Sequence, residues 1–125
     1  MYKFNIVKKA KNMPPFANWS YPTAIRFGPG RISEIAEACI IAEIKKPLLI
    51  TDRGLAKLEI TARTLNLLDA AGLGRAIFAE VDTNPNEKNA NAGVSAYNDG
   101  GHDGVIAFGG GSSLDLGKLV AFLAG

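Results

Sequence analysis

Apolar residues recur along the chain in two alternating patterns, one with the period of a helix and one of short continuous runs. The first helical pattern covers residues 33–43, where the spacing i, i+3, i+4, i+7 and i+8 aligns apolar residues on one face: Ile32, Ile35, Ala36, Cys39 and Ile40. The apolar run at residues 47–51 has the length of a strand and is typical of a parallel strand covered on both faces. Together they predict a helix followed by a buried strand.

The same alternation continues to the end of the chain. A second helix is predicted over residues 57–71, with Gly72 as its left-handed stop and an inward face of Leu58, Ala62, Leu65 and Leu68. A strand at 76–81 follows, and then a third helix that ends at Gly100 and Gly101 and has a buried stripe of Ala90, Gly93, Val94 and Tyr97. The fourth strand is predicted at 104–108.

The last helix begins near Ser112 and is apolar on nearly every side. Its apolar residues are Leu114, Leu116, Leu119, Val120, Ala121, Phe122 and Leu123. A helix without a polar face is expected to be buried on several sides.

Strands that alternate with helices through short connections predict the α/β class, with a mostly parallel sheet, right-handed crossovers and helices on both faces. Ligands of such sheets bind at the carboxyl ends of the strands. Three polar features follow predicted strands and should meet at that edge: Asp52, Asn84 and the loop that begins at Gly109.

Residues 1–22 are predicted to be an N-terminal arm, and residues 23–125 a partial dinucleotide-binding domain. Pro14 and Pro15 exclude a helix in the arm, and its four lysines are expected to be solvated. A first strand is predicted at residues 23–27, closed by a glycine-rich turn.

Composition narrows the class of protein. The chain has 125 residues, 47% of them hydrophobic, enough apolar material for one core. A net charge of +2 does not indicate binding to nucleic acid or to a membrane surface. No apolar run approaches the roughly 20 residues of a membrane span. The single cysteine, Cys39, is predicted to be a buried thiol in a reducing compartment. With no secretion signal at the start, a cytoplasmic location is expected.

The glycines Gly109, Gly110 and Gly111 with Ser112 are the strongest candidate for chemistry. They join a strand to a helix, so backbone amides and the positive end of the helix dipole can bind a phosphate at close range. The motif is neither GxGxxG nor a P-loop. The competing interpretation is a tight turn with Ser112 as helix N-cap.

The pattern GGGS-x-x-D-x-x-K after a hydrophobic strand resembles the iron-containing alcohol dehydrogenase family, and the resemblance extends from residue 22 to the end. It also rests on Phe27-Gly28-Pro29-Gly30, Leu49-Ile50-Thr51-Asp52 and Asn84-Pro85-Asn86. The resemblance implies a Rossmann-like fold, a bound NAD, an alcohol or aldehyde substrate and a homodimer formed through the N-terminal strand. Family members are much longer, so the chain is expected to be a fragment, inactive alone, of a protein whose helical domain carries the metal.

Asp52 closes an apolar strand, where a carboxylate needs a donor. Beside an adenosine ribose it would accept from the hydroxyl groups and repel a 2′-phosphate, which favours NAD over NADP. The alternative is an N-cap of the following turn. Asn84 matches a family position beside the cofactor, and an Asx turn that caps the third helix explains it equally well.

Asp115 and Lys118 occupy the last two positions of the motif. The resemblance places Asp115 near the nicotinamide end of the cofactor, while its spacing from Ser112 also suits a capping box. Lys118 either points at the cofactor or substrate or is a solvated lysine. With one histidine and one cysteine, the sequence provides no metal site, so iron or another divalent metal is expected only in a full-length protein.

Two other functions stay open at this stage. A glycerol-dehydrogenase-like or dehydroquinate-synthase-like enzyme would also use NAD and a metal, although Ser112 disfavours the synthase. A non-catalytic oligomeric α/β domain would use the glycine loop only as a turn.

Overall fold

The computed structural model describes residues 4–8, 31–81 and 86–124. Its strands are β1 Phe4–Lys8, β2 Pro47–Ile50, β3 Ile77–Phe78 and β4 Gly104–Phe108. Its helices are α1 Ile35–Ile41, which follows the 3-10 turn Arg31–Glu34, then α2 Arg53–Ala56, α3 Glu59–Ala70, α4 Glu87–Asp99 and α5 Gly111–Ala124. The strand predicted at 23–27 lies outside the described residues.

The four strands form one sheet in the order β1-β4-β2-β3. β2 lies in the centre and pairs in parallel with both β3 and β4. The prediction of an α/β protein with a mostly parallel sheet is therefore confirmed.

The outer strand β1 was not predicted. It pairs antiparallel with β4, with Phe4 opposite Phe108 and Lys8 opposite Gly104. Its five residues were assigned to the solvated arm, because a run this short gives little periodic signal. The strand is held by hydrogen bonds to the edge of β4, which the local sequence does not reveal. The predicted arm therefore contributes a strand to the sheet.

Helices cover both faces of the sheet, as predicted. Alternate residues of β2 point to opposite faces: Leu48 and Ile50 pack in a cluster with residues of α4 and α5, whereas Leu49 packs with residues of α1 and α3. The second cluster contains Cys39, which is buried as expected. Burial, with a smaller contribution from Asp103, raises the pKa of its thiol to about 11, so the thiol is protonated and unreactive.

The helix predicted over 57–71 is α3, which begins two residues later and ends one residue earlier, and its inward face differs from the prediction. Leu58 is the N-cap of α3 and is 43% exposed, and Ala62 is also exposed. The buried face consists of Thr61, Thr64 and Leu68. Both threonines can be buried because their hydroxyl groups donate to backbone carbonyls, of Leu55 and Ile60 respectively. Gly72 has a φ of +79°, in agreement with its predicted role as a stop.

The expectation that the last helix is buried on several sides is wrong for the part of the chain that the structure describes. One face of α5 packs on β4 and α4, where Gly117 lies so close to the sheet that a Cβ atom would come 2.6 Å from Ala107 Cβ. The other face is open, with Leu119, Phe122 and Leu123 exposed. None of the helices in the described ranges has both the length and the apolarity to cross a membrane.

The turn before β4 joins the amino ends of β2 and β4, at the edge of the sheet opposite the glycine loop. The Asp103 carboxylate accepts hydrogen bonds from Lys45 N at 2.9 Å and Lys46 N at 2.8 Å. His102 Nδ1 lies 3.1 Å from Lys46 O, and its ring packs at a tilt near Tyr97. The contacts of His102 thus belong to the structure of this turn.

We expect the stability of the chain to fall as the pH drops below about 6.5, the ordinary pKa of histidine. Burial lowers the pKa of His102, and the bond to Lys46 O offsets this only in part. The unfolded chain therefore binds the proton first, and the loss levels off below the folded-state pKa. Urea denaturation between pH 5 and pH 8 measures this dependence. His102→Gln should flatten it, and an unchanged slope in that variant would assign the effect to other groups.

Candidate functional site

The candidate site is a cleft at the carboxyl edge of the sheet, between the loop after β2 and the loop after β4. It has a volume of about 360 Å³. Its lining residues are Asp52, Arg53, Gly54, Val81, Gly110, Gly111, Ser112 and Ser113. The structure therefore brings Asp52 and most of the glycine motif together, as the strand order requires.

Gly109 makes the sharp turn from β4 into this cleft. Its φ is +128°, a conformation that residues with a side chain rarely adopt. A Cβ atom there would also lie 2.6 Å from Leu55 Cδ1. By contrast, a Cβ on Gly110 or Gly111 would meet no atom within 4 Å. The first glycine is thus required by the fold, whereas the next two leave open space over the backbone.

Helix α5 begins at Gly111, and Leu114 N donates to Gly110 O as the first bond of its ladder. Ser112 consequently lies inside the first turn of the helix and is not the N-cap. The first N–H groups of a helix have no partner within the helix, and the dipole makes that end positive. Gly111 and Ser113 contribute such groups to the cleft, an arrangement that suits an anion.

Asp52 has a structural role in addition to its place in the cleft. It is the N-cap of α2, and its Oδ1 accepts from Leu55 N at 2.7 Å. Its second oxygen faces the glycine loop, since a Cβ on Gly109 would lie 3.6 Å from Asp52 Oδ2. The N-cap interpretation is therefore confirmed, and one carboxylate oxygen is left to face a ligand. The role of Asp52 toward a ribose stays a prediction.

Sequence reasoning missed two polar side chains of the cleft. Arg53 directly follows Asp52 and is exposed. Ser113 is 1% exposed, and its Oγ has no hydrogen-bond partner. The signal for Ser113 was its place beside Ser112 in the helix start, but the pattern could not show that its hydroxyl is buried.

Two predicted site residues lie away from the cleft, and a third lies outside the described residues. Asp115 and Lys118 lie on the exposed surface of α5 and are not among the lining residues. Asn84 lies outside the described residues. The N-cap of α4 is Asn86, which exchanges two hydrogen bonds with Asn89, 3.0 Å and 3.1 Å long. The residue that caps this helix is therefore Asn86, two positions after Asn84, for which the sequence analysis offered that role.

The described residues do not form a metal site. Within residues 4–8, 31–81 and 86–124, no three side chains of His, Cys, Asp or Glu lie together as ligands for one ion. The described residues therefore do not fit the metal that the sequence resemblance implies, and no step proposed below uses it.

Known proteins are similar to this chain in sequence and in fold. Residues 22–125 match the family described as iron-containing alcohol dehydrogenase. The 4-hydroxybutyrate dehydrogenase of Cupriavidus necator is 36% identical over 104 residues, covering 83% of this chain and 27% of that protein. The 1,3-propanediol dehydrogenase of Klebsiella pneumoniae is 37% identical over 105 residues, covering 82% of this chain and 27% of that protein.

A solved structure agrees with these relatives. The crystal structure of a 1,3-propanediol oxidoreductase superposes with a TM-score of 0.58 at 38% identity, over 61% of this chain and 20% of that one. The chain thus spans about a quarter of the length of the curated relatives it matches. Because the family match extends over most of the residues, this chain belongs to the iron-containing alcohol dehydrogenase family.

Proposed function

We propose that this chain forms the NAD-binding site of a metal-dependent alcohol dehydrogenase, with the metal ligands outside the described residues. In this role the chain holds the dinucleotide and has no turnover alone. When bound, NAD would accept a hydride from the carbon of an alcohol, or NADH would return it to an aldehyde. The residues of this chain bind and orient the cofactor.

The observation that carries the proposal is the open backbone at Gly110 and Gly111. A diphosphate needs several N–H donors at close range, and side chains at these positions would keep it away. Here the amides of the first turn of α5 line a cleft of suitable size, and Asp52 lies at its other wall. An acceptor for ribose hydroxyl groups thus lies across from donors for phosphate oxygens.

We base further proposals on family membership and sequence. They concern the substrate of the enzyme, its assembly and its location in the cell. The relatives' names include a 4-hydroxybutyrate dehydrogenase and a 1,3-propanediol dehydrogenase, so we infer an alcohol or aldehyde as substrate. A homodimer through residues 23–27 and a cytoplasmic location complete the proposal, the latter supported by the buried free thiol of Cys39.

Calorimetric titration of the chain with NAD and with NADP tests the proposal. We expect heat of binding with NAD and a higher melting temperature in its presence, because a ligand at a hundredfold excess over its Kd adds about 2.7 kcal/mol to the free energy of unfolding. NADP should bind more weakly. If neither nucleotide binds or stabilises the chain, the glycine loop is only a turn and the non-catalytic domain is the better assignment.

A further inference from the structure

Arg53 is a charged side chain of the cleft that the fold itself does not use. It is the first residue of α2, it is exposed, and it lines the cleft. Within the described residues its guanidinium takes part in no hydrogen bond or ion pair, in contrast to Arg75, which donates to Asn66 and lies 3.7 Å from Asp69. A guanidinium carries five N–H donors in a planar fork, and those of Arg53 are available to a ligand.

The carboxylate next to Arg53 in the chain does not neutralise it. Asp52 is the N-cap of α2, and its Oδ1 accepts from Leu55 N at 2.7 Å. Its Oδ2 faces the glycine loop, where a Cβ atom on Gly109 would lie 3.6 Å away. Asp52 therefore serves the helix start and the loop, and the positive charge beside it stays without a counter-charge among the described residues.

The charges of the cleft decide which ligand it can hold. Among the described residues that line it, Asp52 and Arg53 are charged and the others are neutral. A nucleoside diphosphate brings at least two negative charges, and the carboxylate repels them. The start of α5 offers only the partial charge of a helix dipole. Arg53 is therefore the side chain that can supply a full positive charge against this repulsion.

We propose that Arg53 binds the diphosphate of the ligand from the wall of the cleft opposite α5, and that it makes the site prefer a nucleoside diphosphate to a monophosphate. The inference rests on the nucleotide binding proposed above. The open backbone at Gly110 and Gly111 leaves room for one phosphate group at the start of α5. The fork of Arg53 donates to oxygens of the other phosphate group. A monophosphate can occupy one of these two positions but not both.

Calorimetry with ADP and AMP on the parent chain and on Arg53→Gln tests this role. We expect the variant to bind ADP about tenfold more weakly, as for the loss of one charged hydrogen bond, while its affinity for AMP stays close to that of the parent. Added salt should weaken ADP binding by the parent more than by the variant, because the lost contact is one between charges. The melting temperatures of the free proteins should agree, since Arg53 bonds to no described residue.

Two further variants show whether the charge and its position matter. Arg53→Lys keeps the charge but not the fork, so it should restore the salt dependence and part of the ADP affinity. Arg63→Gln is the matched control, because it removes the same charge from an exposed arginine of α3 that is not among the residues lining the cleft. It should leave both affinities unchanged.

The outcomes separate this inference from the proposed function. An equal loss for ADP and AMP in Arg53→Gln, or no loss for either, overturns the role of Arg53, while ADP binding by the parent leaves the proposed function intact. A loss of the same size in Arg63→Gln also overturns it, because the effect would then come from the net charge of the chain. If the parent binds neither ADP nor NAD, the proposed function fails and the role of Arg53 with it.

Discussion

Replacing Gly109 with alanine is expected to destabilise the chain by about 2–4 kcal/mol. Two effects add. The φ of +128° is strained for any residue with a Cβ, and the new atom would lie 2.6 Å from Leu55 Cδ1, well inside van der Waals contact. Leu55 would have to move to relieve this clash. Its backbone N–H donates the hydrogen bond to Asp52 that caps α2, so the movement would also disturb that cap. Urea denaturation of the parent and variant measures the difference.

Gly110→Ala is the matched control, because its Cβ would meet no atom within 4 Å and its φ is not positive. Its stability should stay within about 1 kcal/mol of the parent. The same methyl group would occupy the space proposed for the diphosphate, so NAD binding should weaken instead. The two neighbouring glycines thus separate folding from binding. Equal stability losses in both variants would contradict this division.

The order of most helices and strands could be predicted because each of these has a hydrophobic pattern of its own. β2 and β4 are continuous apolar runs, and both are fully buried in the sheet. Their carboxyl ends had to meet at one edge once the strands were parallel, which placed Asp52 beside the glycine loop. Local pattern and strand direction were sufficient for these features.

The misassigned faces depend on contacts that no local pattern contains. On α3, Thr61 and Thr64 are buried in place of Leu58 and Ala62, because their hydroxyl groups find carbonyl partners in preceding turns. On α5, apolar residues occur on nearly every side, so periodicity cannot tell the packed face from the exposed one. In both helices, the packing of neighbouring elements determines which face is buried.

The candidate site shows the same division between local and long-range information. The glycine motif was predicted from residue types, because only glycine permits that turn and close approach. The buried hydroxyl of Ser113 could not be predicted, since burial depends on how neighbouring elements pack and not on the local pattern. Of the two interpretations of Asp52, the N-cap is confirmed by the bond from Leu55 N, and the role toward a ribose stays a prediction.

Replacing Asp52 with asparagine should shift nucleotide selectivity toward NADP by tenfold or more. Asparagine caps a helix as well as aspartate does, so the bond to Leu55 N and the start of α2 should persist. The variant loses only the charge that would repel a 2′-phosphate, a juxtaposition that costs several kcal/mol when close. Arg53 lines the same cleft and can then pair with that phosphate. Calorimetry with NAD and NADP gives the ratio of the two affinities.

Two further variants separate the charge of Asp52 from its capping role. Asp52→Ala removes both and should lose about 1 kcal/mol of stability in addition to NAD selectivity, whereas Asp52→Gly should relax selectivity at a cost of only a few tenths of a kcal/mol. Adding Arg53→Gln to Asp52→Asn should remove the gain in NADP affinity. If selectivity stays unchanged in Asp52→Asn while stability falls in Asp52→Ala, the carboxylate serves only the helix. The cleft would then discriminate between the nucleotides by other residues.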